Sequence, residues 1–242
     1  GNILELSSNL DVEFEEYSVI KLDTYFDDKV FVLFSGLNAD NEINFKPIFN
    51  ISFKGNGIID FNGEESKMRS QYLRRIGFEG GNCSNVNIDG LKWTNGDLSN
   101  CISVGFFGNG SNVCVQNCTF SELATGDKSI NRDHSTIYGN VDYLSVHDNV
   151  FIGNHLMSLI GCTCEIHGSF SSFVNNKVFD YTRMIFIASY FMERSKISNI
   201  NVSNNLGEIT NSVVYLWSES DCLISNVLIT DNNIKQKHIQ GE

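Results

Sequence analysis

The sequence has one proline, Pro47, in 242 residues, and no apolar run that approaches the roughly 18 residues of a membrane-spanning helix. Membrane insertion is therefore not expected. Basic residues are also scarce: 17 Lys and Arg stand against 29 Asp and Glu, a formal net charge of −12. Nucleic-acid binding needs a basic footprint, so this balance excludes it, along with docking to anionic membranes. A strongly anionic polymer would be repelled except at a local basic patch, whereas neutral sugars would not. Phosphate-cradling loops, H-E-x-x-H and nucleophile-elbow patterns are missing. The seven cysteines are odd in number and match no zinc spacing. No cofactor and no metal are expected, and the cysteines read as small buried hydrophobes of a chain made in a reducing cytosol.

What is abundant is Asn, Asp, Ser and Gly, set between apolar runs of four to seven residues, a texture of many short strands with polar corners. The runs repeat. NVNIDGLKW (85–93), NVCVQNCTF (112–120), YLSVHDNVF (143–151), SFVNNKVF (172–179), INVSNNLGEI (200–209) and NVLITDNNI (226–234) share one pattern: two apolar anchors, a polar corner, then usually an aromatic. The second anchors are Ile88, Val115, Val146, Val174, Val202 and Ile229, which recur at a pitch of roughly 28 residues. Two residues on stand Gly90, Asn117, Asp148, Asn176, Asn204 and Asp231; five on stand Trp93, Phe120, Phe151 and Phe179, then Gly207 and Ile234. Apolar–polar alternation marks a strand with one buried face. Repetition at fixed pitch stacks like residues about 4.8 Å apart, so Asn side chains bond along a column and aromatics fill a continuous core. A second strand per coil is centred on Val104, Ile137, Leu159, Ile187 and Tyr215, with an inserted loop between Phe120 and Ile137. The stretch ISFKGNGIIDFNG (51–63) joins the pattern through Gly63, one pitch before Gly90.

The predicted fold is all-β: a single-stranded right-handed parallel β-helix of about seven to eight coils of roughly 28 residues. It forms one domain over residues 1–242 and is expected to be part of a longer chain. The I-x-F-x-G-N-G-I-I-D-x-N-G segment followed by N-V-x-I-x-N-x-x-F coils resembles the pectin-lyase-like superfamily over about residues 3–234. That group includes polygalacturonases, pectate lyases and phage tailspike depolymerases. The resemblance implies a glycan partner and, for tailspikes, a homotrimer. Asn131-Arg132-Asp133 resembles the polygalacturonase N-T-D segment, which makes Asp133 its candidate aspartate. The acid pair of the next coil is replaced by Asn154-His155, G-H-G is absent, and Arg183 lacks a lysine two residues on, where Ile185 stands. Calcium held by Asp127 and Asp133, with Arg183 as base, is the lyase variant of this resemblance.

Independently of the resemblance, Asn100, Asp133, His155, Arg183 and Asn211 lie four residues before the second-strand anchors and would form one outward column. Asp133 is the candidate acid or base there, with His155 and Arg183 gripping the sugar. Asp180 and Glu208 form a reserve pair on adjacent coils at the spacing of a retaining glycosidase. Glu122, Asp127, Arg132, His134 and Asn154 flank this column as substrate contacts, and Trp217 offers a ring face. The function these readings indicate is a viral tailspike-like β-helix, in a virion tail, that binds and hydrolyses a host cell-surface polysaccharide. Two alternatives stay open: a non-catalytic receptor-binding or structural shaft, and a secreted bacterial polysaccharide lyase or hydrolase.

Overall fold

In the computed structural model, residues 4–21, 30–35, 47–62, 74–96, 100–123, 134–153, 161–190 and 193–237 are described. Among them there are only strands and turns, all strand pairings are parallel, and no helix long and apolar enough to cross a membrane occurs. The architecture is a parallel β-solenoid, as the repeat predicts. Each turn contributes to three rows of paired residues.

The first row runs Val12, Phe53, Ile88, Val115, Val146, Phe173, Val202, Ile229. The second runs Ile20, Ile59, Trp93, Phe120, Phe151, Val178, Gly207, Ile234. The third runs Leu4, Phe34, Phe78, Val104, Ile137, Cys164, Ile185, Val214. From Ile88 onward the first row advances by roughly 29 residues per turn, which gives about five regular turns. The two turns before them, from Val12 to Phe53 and from Phe53 to Ile88, are longer.

Three expectations are corrected by this register. The first-row anchor after Val146 is Phe173, not Val174, and the second-row residue of that turn is Val178, not Phe179. Both errors are one slip: with alternating side chains, a one-residue shift moves every residue to the other face, and Phe179 is accordingly exposed. In the third row, Ile137 and Ile185 flank Cys162–Ile166, and Tyr215 pairs with Phe186 rather than with Ile187. The predicted strand at Leu159 lies outside the described residues. Gly90 stands beside Gly55, because Asp89 pairs with Lys54; Gly63 also lies outside them.

The polar corners have a backbone reason. Two residues after each first-row anchor from Phe53 onward stand Gly55, Gly90, Asn117, Asp148, Asn175, Asn204 and Asp231, all at positive φ. Gly, Asn and Asp tolerate this left-handed conformation with least strain. A Cβ on Gly90 would sit 2.7 Å from the Gly55 carbonyl oxygen, so glycine is required there.

One residue further in, Asn149, Asn176, Asn205 and Asn232 form an internal amide stack. The Oδ1 of Asn176 accepts from the backbone N–H and Nδ2 of Asn149, both at 3.0 Å. Asn205 serves Asn176 in the same way, and Asn232 serves Asn205. Each Nδ2 also donates to the carbonyl of the anchor one turn back, at Val115, Val146, Phe173 and Val202. Beside this stack, Trp93, Phe120, Phe151 and Phe173 pile ring on ring, 4.9 to 6.2 Å between centroids.

Replacing Asn176 by Ala removes the acceptor of two buried donors on Asn149 and leaves the Val146 carbonyl short of one. Unsatisfied buried groups cost about 1–3 kcal/mol each, so Asn176→Ala should destabilise the fold by about 3 kcal/mol in urea unfolding. Asn175→Ala, at the exposed corner, should cost about 1 kcal/mol.

Candidate functional site

The third-row side chains Ile137, Cys164 and Ile185 point into the core and are fully buried. Their chain neighbours Tyr138, Glu165, Phe186 and Tyr215 therefore share the outer face, in one register row across four turns. Three hydrogen-bonding groups converge on this face. Glu165 accepts from the Ser135 hydroxyl at 2.5 Å through Oε2, and its Oε1 lies 2.8 Å from His167 Nε2. The other ring nitrogen of His167, Nδ1, is 3.1 Å from Glu193 Oε2. The Tyr138 hydroxyl donates to Glu193 Oε1 at 2.7 Å. Burial, and then the Glu193 carboxylate, push the Tyr138 phenol far above its ordinary range, so it stays a protonated donor.

Glu193 arrives from a turn, with its N–H donating to the Tyr190 carbonyl. Arg194 fastens that turn: its Nε donates to Asn140 at 3.1 Å, its Nη1 to Asp142 at 2.8 Å, and its carbonyl accepts from Ser189 at 2.6 Å. Glu165 and His167 are almost fully buried, whereas the Glu193 side chain is 33% exposed, so Glu193 is the acid that meets solvent.

The cluster interrupts an external ring column. Phe107, Tyr138, His167, Tyr190 and Trp217 stack one per turn, with centroid separations of 4.9, 4.9, 5.1 and 4.7 Å. Trp217 ends the column, 37% exposed. Beside it, Arg183 lays its guanidinium over the Tyr215 ring, 4.2 Å from the centroid, and has no carboxylate partner among the described residues.

The row through Arg183 runs Ser135, Cys162, Arg183 and Ser212. Arg183 pairs with Cys162, seven residues beyond His155, and Cys162 pairs with Ser135, two beyond Asp133. The row through Arg183 thus contains neither residue. Asp127, Arg132, Asp133, Asn154 and His155 lie outside the described residues. His134 is buried: its Nε2 is 3.0 Å from the Thr136 hydroxyl, which is 2.7 Å from the Tyr181 hydroxyl. It belongs to an internal polar chain. Glu122 is an exposed corner residue that accepts from Thr94 at 3.4 Å.

Asp180 and Glu208 do come together, around Lys237: its ammonium is 2.7 Å from Asp180 and 3.6 Å from Glu208. Asp180 raises the Lys237 pKa, holding the cation in place. They border a shallow depression of about 290 Å³ with Phe179, Leu206, Gly207, Asn233 and Lys235.

Glu165, His167 and Glu193 are the residues that sequence reasoning missed. The alternation in CTCEIH, with Cys164 and Ile166 inward, carries a signal for Glu165 and His167 on the outer face. Nothing in the sequence marks Glu193, because a turn folds it back onto earlier coils.

No protein-family model matches the chain, and no curated protein is similar in sequence. Solved structures do match. A tailspike protein double mutant of E. coli bacteriophage HK620 in complex with pentasaccharide superimposes with a TM-score of 0.81 at 23% identity, over 97% of this chain and 40% of that one. A mutant of the same tailspike in complex with hexasaccharide gives 0.81 at 24%, again over 97% and 40%. The tailspike in complex with pentasaccharide gives 0.77 at 21%, over 98% and 42%. The shared property is the fold, in agreement with the superfamily resemblance, and this chain spans about 40% of the length of those tailspikes.

The Tyr138–Glu193 bond has a measurable consequence. Tyr138→Phe removes a hydrogen bond to a charged group, worth about 1.5–3 kcal/mol, and loosens the 193–195 turn, which Arg194 still holds. Thermal unfolding should shift down accordingly, and amide exchange at Glu193 and Arg194 should accelerate.

Proposed function

We propose that this chain is the β-helical body of a phage tailspike, which binds a host cell-surface polysaccharide along the outer ring column and hydrolyses it with Glu193 and Glu165. The observation that carries the reading is the conjunction of a part-buried ring column that ends in the exposed Trp217 with two carboxylates that flank one imidazole. Sugars present apolar faces to aromatic rings, and hydrolysis of a glycosidic bond needs two carboxyl groups. The sugar-bound tailspikes of the same fold support the glycan partner. A homotrimer on a virion tail is part of the proposal, as is a right-handed stack, the hand that parallel crossovers adopt in nearly all cases. The unbroken first row from Val12 to Ile229 supports the seven to eight coils of the repeat.

In this reading Glu193, the acid that meets solvent, protonates the leaving glycosidic oxygen, and Glu165, buried beneath it, exchanges its Ser135 or His167 hydrogen bond for the attacking water before taking the proton. An imidazole between two carboxylates keeps them apart, which suits the roughly 6.5–9.5 Å of an inverting enzyme better than the roughly 5–5.5 Å of a retaining one. Tyr138 and Ser135 orient the acids, and Arg183 and Trp217 hold flanking sugar units. The Asp180–Glu208 pair, bridged by Lys237, is the second candidate acid pair.

Glu193→Gln and Glu165→Gln should each lower polysaccharide cleavage by about 10²–10⁴-fold while oligosaccharide binding changes little. Trp217→Ala should weaken binding about tenfold, the loss of roughly 1–1.5 kcal/mol of ring contact. Reducing-end release and calorimetric titration measure the two effects. Undiminished cleavage by Glu193→Gln would remove this acid from the mechanism, and binding without any cleavage by the parent protein would select the non-catalytic shaft.

A further inference from the structure

A second constellation lies on the outer face of the first row, away from the ring column. Cys114 Sγ is 3.4 Å from His147 Nε2, and His147 Nδ1 is 2.7 Å from Asp148 Oδ2. The three residues come from adjacent turns: Cys114 pairs with Ser145 and Gln116 with His147, which sets sulfur and imidazole side by side. With Nδ1–H donating to Asp148, the neutral ring presents Nε2 as an acceptor toward the thiol. This is the arrangement of a nucleophile, a base and a group that orients the base. The His147 and Asp148 side chains are 30% and 48% exposed and Cys114 is half-buried, so a small molecule reaches the sulfur.

The flanking residues complete a small polar site. Asn87, the partner of Cys114 one turn back, accepts from Gln116 Nε2 through Oδ1 at 3.4 Å. Ser145, the partner one turn on, accepts from the Ser172 hydroxyl at 3.3 Å and keeps its own proton to donate. Asn87 and Ser145 thus flank Cys114 on the adjacent turns, and the Ser145 hydroxyl is a donor for the oxygen of a carbonyl brought to the sulfur.

We propose that Cys114 is a nucleophilic site that accepts an acyl group from a small ester, with His147 as its base and Asp148 as the residue that positions His147. In the step, the S–H proton passes to His147 Nε2, sulfur bonds to the acyl carbon, and the ester C–O bond breaks. The departing alkoxide takes the proton from His147, so the acyl group moves from oxygen to sulfur with no other reactant. Burial, and then the Asp89 carboxylate, push the Cys114 thiol up to about 11. A standing thiolate is therefore disfavoured, and the nucleophile depends on its base during attack. Asp89 itself is held by Gln116 at 3.0 Å and Asn117 at 2.8 Å. Among the other described cysteines, Cys83, Cys118, Cys162 and Cys164 are buried away from solvent, and Cys222 lies on a turn.

The test is acetylation of the whole protein by p-nitrophenyl acetate, followed by site-resolved mass spectrometry with Cys222 as the internal reference. Cys114 should acetylate at least tenfold faster than Cys222. His147→Gln should lower the Cys114 rate at least tenfold, and Asp148→Asn several-fold, without changing Cys222 or the melting temperature. Cys114→Ser should abolish the signal at that position. Acetylation of Cys114 no faster than of Cys222, or a Cys114 rate that His147→Gln leaves intact, overturns the proposal. A variant that melts early is replaced by His147→Asn, which is read against the same reference.

Discussion

The later turns of this molecule depend on the turn-to-turn transfer of hydrogen bonds through the buried amides Asn149, Asn176 and Asn205 and the part-buried Asn232. A buried amide without partners is costly, and here each one is satisfied by its counterparts and by the anchor carbonyls of neighbouring turns. The stack therefore enforces register. A turn that slipped by one residue would strand two donors and an acceptor at once and would also turn its apolar row to solvent. The connections are free to vary because they leave the three rows between strands. That is why the turn from Val12 to Phe53 is much longer than the one from Val202 to Ile229 while the rows stay continuous.

The same constraint builds the outer face. Rows separated by one strand spacing hold any repeated side chain about 4.8 Å from its neighbour. Inside, this gives the Trp93, Phe120, Phe151 and Phe173 pile. Outside, it gives Phe107, Tyr138, His167, Tyr190 and Trp217 at nearly the same separation. One geometric rule thus supplies both a core and a surface of rings. The outer set needs no induced ordering to meet an extended ligand, since its spacing is fixed by the backbone.

The period, the class of fold and most of the core were legible, because they rest on apolar alternation and pitch. Ile88, Val115, Val146, Val202 and Ile229 share the first row as read. The slip at Val174 arose because Asn175 and Asn176 are adjacent and either one fits a polar corner. Aligning the pairs Asp148-Asn149, Asn175-Asn176, Asn204-Asn205 and Asp231-Asn232 recovers the true register: the first member of each pair takes positive φ and the second enters the amide stack. The site was less legible. Column arithmetic depends on every preceding offset, so taking LMSLIG for a third-row strand instead of Cys162–Ile166 displaced His155 and hid Glu165. Glu193 was beyond such arithmetic, since Arg194, Asn140 and Asp142 decide where its turn folds.

The charge of the chain also reads differently in place. A net −12 suggests a surface that repels acidic polymers, yet screening at physiological salt limits such repulsion to about 8 Å. Within that range of the ring column, the local groups decide. Glu165 and Glu193 are engaged by His167, Ser135 and Tyr138, so their lone pairs are largely committed. Arg183 is held by stacking on Tyr215 with no carboxylate among the described residues to satisfy it. A guanidinium fixed by its face presents its edge, and five donors in a rigid fork favour planar oxygen acceptors. The outer face is thus locally less hostile to oxygen-rich ligands than the overall balance implies, because its acids are internally paired while its stacked cation is not.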